Sequence, residues 1–108
     1  MRATLLVLAL VAASAGPPVV VGSKNFVESE VLAELLAQSL EERGIPVARR
    51  LDLGGTLICL EALESGAIDV YPEYTRTGLV AVLREEAPRD GLASFLRVKK
   101  TFTKRGLV

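Results

Sequence analysis

The sequence predicts an α/β domain built on a parallel sheet. Short apolar or alternating runs at 19–21, 47–53 and 67–71 take turns with segments of helical periodicity, and glycine or proline marks nearly every change. The helical segments between the runs are long enough to carry the chain back over a sheet, so each next strand enters parallel to the last. No internal repeat or low-complexity segment competes with this pattern.

Residues 1–15 read as a signal peptide. Arg2 supplies the positive end, Leu5 to Val11 the apolar core, and Ala13-Ser14-Ala15 a small-residue cleavage signal with the cut expected before Gly16. The run is short for a membrane span; a buried first strand or an uncleaved anchor is the alternative reading. No cysteine stands near the cut, so the product is expected to be exported, periplasmic and soluble, without a lipid anchor. Residues 16–18, Gly-Pro-Pro, are a linker to a domain over 19–108.

Val19-Val20-Val21 suits a buried parallel strand. The helix that follows is expected to start at an Asn25 N-cap, with Glu28 completing a capping box, and to bury one stripe of Val27, Val31, Leu32, Leu35, Leu36 and Leu40. Gly44 closes its last turn and Pro46 prevents continuation. Val47 to Leu53 alternates like an edge strand. Gly54-Gly55 turns the chain, and Thr56 is placed to cap a second helix that runs to about Ser65 and stops at Gly66. A third strand is expected over Ala67 to Tyr71, broken by Pro72. A third helix then starts near Thr75 or Thr77 and carries Leu79, Val80, Val82 and Leu83. The last helix spans about Gly91 to Lys104, with Leu92, Phe95, Leu96 and Phe102 on one side and Gly106 as its stop.

Composition narrows the function. Loss of Arg2 with the signal leaves 12 basic residues against 13 acidic ones, a formal charge of −1. The basic cluster Arg97, Lys99, Lys100, Lys104 and Arg105 has the spacing of a solvated helix face, so no nucleic-acid partner is expected. The chain has no histidine, which removes Ser-His triads and most zinc sites, and no cofactor or metal is implied. Cys59 is the one cysteine; it has no internal partner and no activating base, and reads as a buried small hydrophobe. An enzyme is therefore not expected.

Ligands of parallel sheets bind beyond the carboxyl ends of the strands. Three loops meet there: Gly22-Ser23-Lys24-Asn25-Phe26, Leu53-Gly54-Gly55-Thr56, and Tyr71-Pro72-Glu73-Tyr74-Thr75-Arg76-Thr77. With Cys59-Leu60-Glu61-Ala62-Leu63 and Ile68-Asp69-Val70-Tyr71, and in this order, they resemble the osmoprotectant substrate-binding proteins of ABC importers, which take glycine betaine, carnitine or choline. The resemblance implies the first lobe of a type II periplasmic binding protein that closes over a quaternary ammonium ligand and delivers it to an ABC permease. It implies that Tyr74 belongs to the tyrosine cage for the cation, and that Lys24 and the Thr77 hydroxyl contact a betaine carboxylate. Asn25, Thr56 and Thr75 follow as further ligand-binding positions, near helix N-termini that favour an anion. A trimethylammonium group cannot donate ordinary hydrogen bonds, which is why aromatic faces suit it.

Each residue also has a plainer reading. Tyr74 could pack at a strand end, Lys24 could be a surface lysine, and Asn25 and Thr77 could be N-caps. Arg76 stands where the family has glycine; it could point away, pair with Glu73, or favour an anionic group on the ligand. The family's proteins are more than twice as long, so the domain is read as an incomplete first lobe with little affinity alone. A separate chain or a homodimer partner could complete it, with the exposed sheet edge as a contact. A truncated or frameshifted gene product without independent function, or a small α/β interaction domain, are the other readings.

Overall fold

The computed structural model describes residues 16–108; the signal-peptide expectation for residues 1–15 lies outside them. Strand β1 (Val19–Gly22) leads to helix α1 (Val27–Glu42), then to strand β2 (Val47–Arg50) and helix α2 (Thr56–Glu64). A single turn α3 (Thr75–Thr77) passes directly into a π-helical turn, Gly78–Val82, before helix α4 (Gly91–Lys104). β1 and β2 pair in parallel with Val19 opposite Val47 and Gly22 opposite Arg50. On the other side of β1, Val21 bridges Val70, also in parallel. The expected third strand is thus reduced to this bridge, reinforced by the Val20 N–H donating to Asp69 Oδ2 at 2.7 Å. The second strand is also shorter than the alternation suggested. Asp52, at φ 56°, turns the chain out of the sheet, and its N–H donates to Ser23 Oγ at 2.8 Å.

The core against β1 is formed by Val21, Ala33 and Ala37, with Val19, Leu36, Leu40, Val47, Leu51 and Val70 packed around it. This corrects the expected stripe on α1. The buried face is the small one, Ser29, Ala33 and Ala37, while Val27, Val31, Leu32 and Leu35 are exposed. Small side chains at i, i+4 and i+8 let the helix backbone approach the sheet closely; Leu36 and Leu40 of the expected stripe flank that contact, and the other four are turned away. The helix ends as its sequence indicated. Gly44 is at φ 77°, its N–H donates to the Glu41 carbonyl at 2.9 Å, and the Ile45 N–H donates to the Leu40 carbonyl at 3.1 Å. That is the two-bond closure of a helix C-terminus that glycine makes possible. Gly22 serves close approach instead: a Cβ there would stand 2.8 Å from Ile68 Cδ1.

Two expected caps are not formed. Phe26, not Asn25, occupies the N-cap position of α1 with no side-chain bond, and the Asn25 N–H is taken by the Gly54 carbonyl at 3.0 Å. Gly55 precedes α2, so Thr56 is its first residue and not its cap. α4 has the expected bounds, and Asp90 caps it by accepting from the Leu92 N–H at 3.0 Å. Its expected apolar side is not the buried one: Leu92, Phe95 and Leu96 are exposed and Phe102 is half-enclosed, while the helix packs through a different face at Ser94. Arg49 on the edge strand is held by Glu34 at 2.7 Å and Glu41 at 2.5 Å, both from α1. The Arg49 hydrogen bonds keep the Glu34 carboxyl at about 2, well below its usual range. Among the described residues no helix is long and apolar enough to cross a membrane.

Candidate functional site

The three loops leave the carboxyl ends of β1, β2 and the Val70 bridge, and backbone bonds tie them to one another. The Gly22 N–H donates to the Val70 carbonyl at 2.8 Å, the Leu53 N–H to the Ser23 carbonyl at 3.1 Å, and the Asn25 N–H to the Gly54 carbonyl. Ser23 and Ser29 fix the first loop from below. The Ser29 hydroxyl accepts from the Lys24 N–H at 2.9 Å, which supplies at the head of α1 the side-chain acceptor that Asn25 does not. Burying two serines here satisfies backbone donors that no strand partner reaches.

This scaffold turns Lys24 inward. The residue is only 5 % exposed. Its ammonium donates to Glu73 Oε1 at 2.5 Å and reaches Thr56 Oγ1 at 3.4 Å. It also lies 5.3 Å from the ring centre of Phe26 and 5.2 Å from that of Tyr74. The two rings are 6.1 Å apart and inclined by 33°, so the ammonium sits in the mouth of an aromatic wedge. Glu73 is the hub. Besides Lys24, its carboxylate accepts from the Tyr74 N–H at 2.9 Å and from the Tyr71 hydroxyl at 3.1 Å. Burial, followed by the charge of Glu73, pushes the Tyr71 phenol well above its usual value.

Tyr74 reaches the other way with its hydroxyl, which donates to Glu28 in the first turn of α1. That bond to a carboxylate raises the phenol to about 12. We predict that Glu28→Gln returns the Tyr74 titration, followed by ultraviolet absorbance, toward the ordinary value near 10. An unchanged titration would show that the phenol and Glu28 do not meet in solution. Cys59 is buried beneath the site with its thiol directed to the Ser23 carbonyl at 3.5 Å; burial raises its pKa, as suits a packed residue and not a nucleophile.

Of the six positions named from sequence, Lys24, Thr56 and Tyr74 are brought together. Asn25 is exposed and contributes its backbone to the loop tie. Thr75 and Thr77 lie half-buried on α3 immediately after Tyr74, and their hydroxyls make no hydrogen bond among the described residues. Arg76 is exposed and lines an open groove with Arg84, Glu85 and Glu86, while Glu73 is already engaged by Lys24. Sequence reasoning named Glu28 only as a capping partner of Asn25 and Glu73 only as one partner open to Arg76, and it did not single out Phe26. Phe26 and Glu73 were inside the quoted loops, but the bond of Glu73 to Lys24 spans 49 positions and no local signal marks it.

The profile of the family described as the substrate binding domain of ABC-type glycine betaine transport systems matches residues 17–105. A glycine-betaine-binding protein of Pseudomonas aeruginosa is 38% identical over 88 residues, covering 82% of this chain and 28% of that protein. The glycine betaine-binding protein YehZ of Escherichia coli K12 is 42% identical over 64 residues, 59% of this chain and 21% of its own length. The structure of apo YehZ from Escherichia coli superposes with a TM-score of 0.76 at 33% identity, covering 82% of this chain and 32% of that one. The chain thus spans under a third of the length of these relatives. The parallel α/β architecture is shared with YehZ, a type II periplasmic binding protein, over most of the described residues.

Proposed function

The chain belongs to the family of substrate-binding domains of ABC-type glycine betaine transport systems, a family of binding components and not of enzymes, and from that membership we propose that it supplies the first-lobe half of a site for a quaternary amine. The observation that carries this reading is the Lys24 ammonium held between the rings of Phe26 and Tyr74 by Glu73. The cluster brings together aromatic rings of the kind that suit a methylated cation and an ammonium that suits a carboxylate. Those are the two ends of a betaine. Lys24 has a donor left for such a carboxylate, because Glu73 and Thr56 engage only two of the three it carries. Thr75, Thr77 and Asn25 line the same loop cluster as secondary contacts.

In this reading residues 1–15 direct export, 16–18 are a linker, and 19–108 form the lobe. The lobe acts outside the cytoplasmic membrane and hands its solute to an ABC permease. The remaining cage aromatics come from a second lobe outside residues 19–108, in a continuation of the chain or in another chain. Glycine betaine is the ligand named for the two relatives described above, and choline, lacking the carboxylate, is the comparison that isolates the role of Lys24.

A half site leaves most of the ligand in water, where one cation–aromatic contact is worth only about 0.5–1 kcal/mol. Titration of the chain with glycine betaine, followed by NMR, is expected to show millimolar binding on the order of −4 kcal/mol, with shifts at Lys24, Phe26 and Tyr74 that Tyr74→Ala removes. Micromolar binding by the monomer would overturn the half-site reading. Shifts confined to other residues would overturn the site itself.

A further inference from the structure

The aliphatics that α1 turns away from the sheet form a continuous ridge. Val27, Val31 and Leu35 repeat every four residues on the face opposite Ser29, Ala33 and Ala37, and are 76%, 52% and 59% exposed. Glu42 continues the same line. α1 carries five glutamates and no lysine or arginine. α4 presents the complement. Leu92 and Leu96, 63% and 54% exposed, lie opposite its buried Ser94, with Lys99 and Lys100 along the same side. α4 carries Arg97, Lys99, Lys100 and Lys104 and no acid.

We infer that the exposed ridge of α1 docks on the exposed face of α4 of a second copy of this chain. Charge complementarity selects this pairing. α1 against α1 would oppose glutamates to glutamates, and α4 against α4 would oppose lysines to lysines, whereas the cross pairing sets an acidic margin against a basic one around an apolar centre. The charges needed are in large part unspent. Glu34 and Glu41 are engaged by Arg49, and Arg97 by Glu85, which leaves Glu30 and Glu42 on one helix and Lys99, Lys100 and Lys104 on the other without an ion pair among the described residues. Because each copy carries both faces, the contact is heterologous: it closes into a pair where both faces are presented to the same neighbour and otherwise repeats from copy to copy. This surface is separate from the sheet edge, and it stands whether or not the ligand reading holds.

Sedimentation equilibrium of the chain over a wide concentration range tests it. Dimerisation is expected at low salt and is expected to weaken as salt is added. Glu30→Lys with Glu42→Lys, or Lys99→Glu with Lys100→Glu, each weakens it by about tenfold or more through like-charge opposition. The chain carrying all four changes exchanges the two margins and recovers dimerisation. Glu42, Lys99 and Lys100 are exposed and Glu30 is half-buried, and circular dichroism confirms that each variant is folded. A chain that stays monomeric overturns the inference. So does self-association indifferent to both charge pairs, or a four-fold variant no better than the two-fold ones.

Discussion

Lys24→Met is expected to lower the unfolding free energy by about 3–5 kcal/mol, since it leaves the Glu73 carboxylate buried without its counter-charge. The side chains of Lys24 and Glu73 are 6% and 13% exposed, so water does not readily replace the missing partner. In a domain of this size each kcal/mol lowers the melting temperature by about 4–8 °C. The loss is therefore easily read by calorimetry or urea titration. Glu73→Gln is expected to cost a comparable amount, because it strands the ammonium instead, although the Gln carbonyl can still accept from the Tyr74 N–H. Combining the two removes both charges and restores most of the stability, so the double-mutant cycle should show strong coupling. Small, additive losses would mean that the pair is solvated. Lys24→Met also separates the two ends of the proposed ligand, since it should abolish the NMR response to glycine betaine and spare that to choline.

The second large effect falls on the π-helical turn. Leu79 is completely buried while Val80, its neighbour on the same turn, is largely exposed. Leu79→Ala is expected to cost about 2–5 kcal/mol as a truncation with a residual cavity. Val80→Ala should stay within about 0.5 kcal/mol, as surface substitutions do. The contrast depends on the turn itself, because a change in its winding would rotate a different side chain inward. Equal costs at 79 and 80 would show that the turn is not docked as described.

The parts of the fold legible in the sequence are those with local causes. The stops at Gly44, Gly66 and Gly106 and the bounds of α4 follow from glycine geometry and capping chemistry within a few residues. The parallel pairing follows from strands separated by helices. Tertiary contacts decided the rest. Asn25 did not cap α1, since the second loop claims its N–H and Ser29 serves the lysine beside it. The apolar pattern of α1 predicted one stripe of large aliphatics, and tight approach to the sheet chose the small face at Ser29, Ala33 and Ala37 instead. At the site, Lys24, Thr56 and Tyr74 could be named from the loops. Glu73 as their hub could not, because its bond to Lys24 spans 49 positions of sequence and exists only once the strands are in register.

The clamp that Arg49 makes with two glutamates of α1 bears on solubility. Among the described residues β2 is the free margin of the sheet, where a neighbouring polypeptide could add itself as another strand. Arg49 and Arg50 place two guanidinium groups on that margin, and Glu34 and Glu41 hold one of them in place. Zipping a foreign strand alongside would force it past a fixed ion cluster and the Arg50 guanidinium, which is how natural sheets discourage amyloid-like growth. Arg49→Val would strip that gatekeeper and leave the margin open to strand addition by another chain.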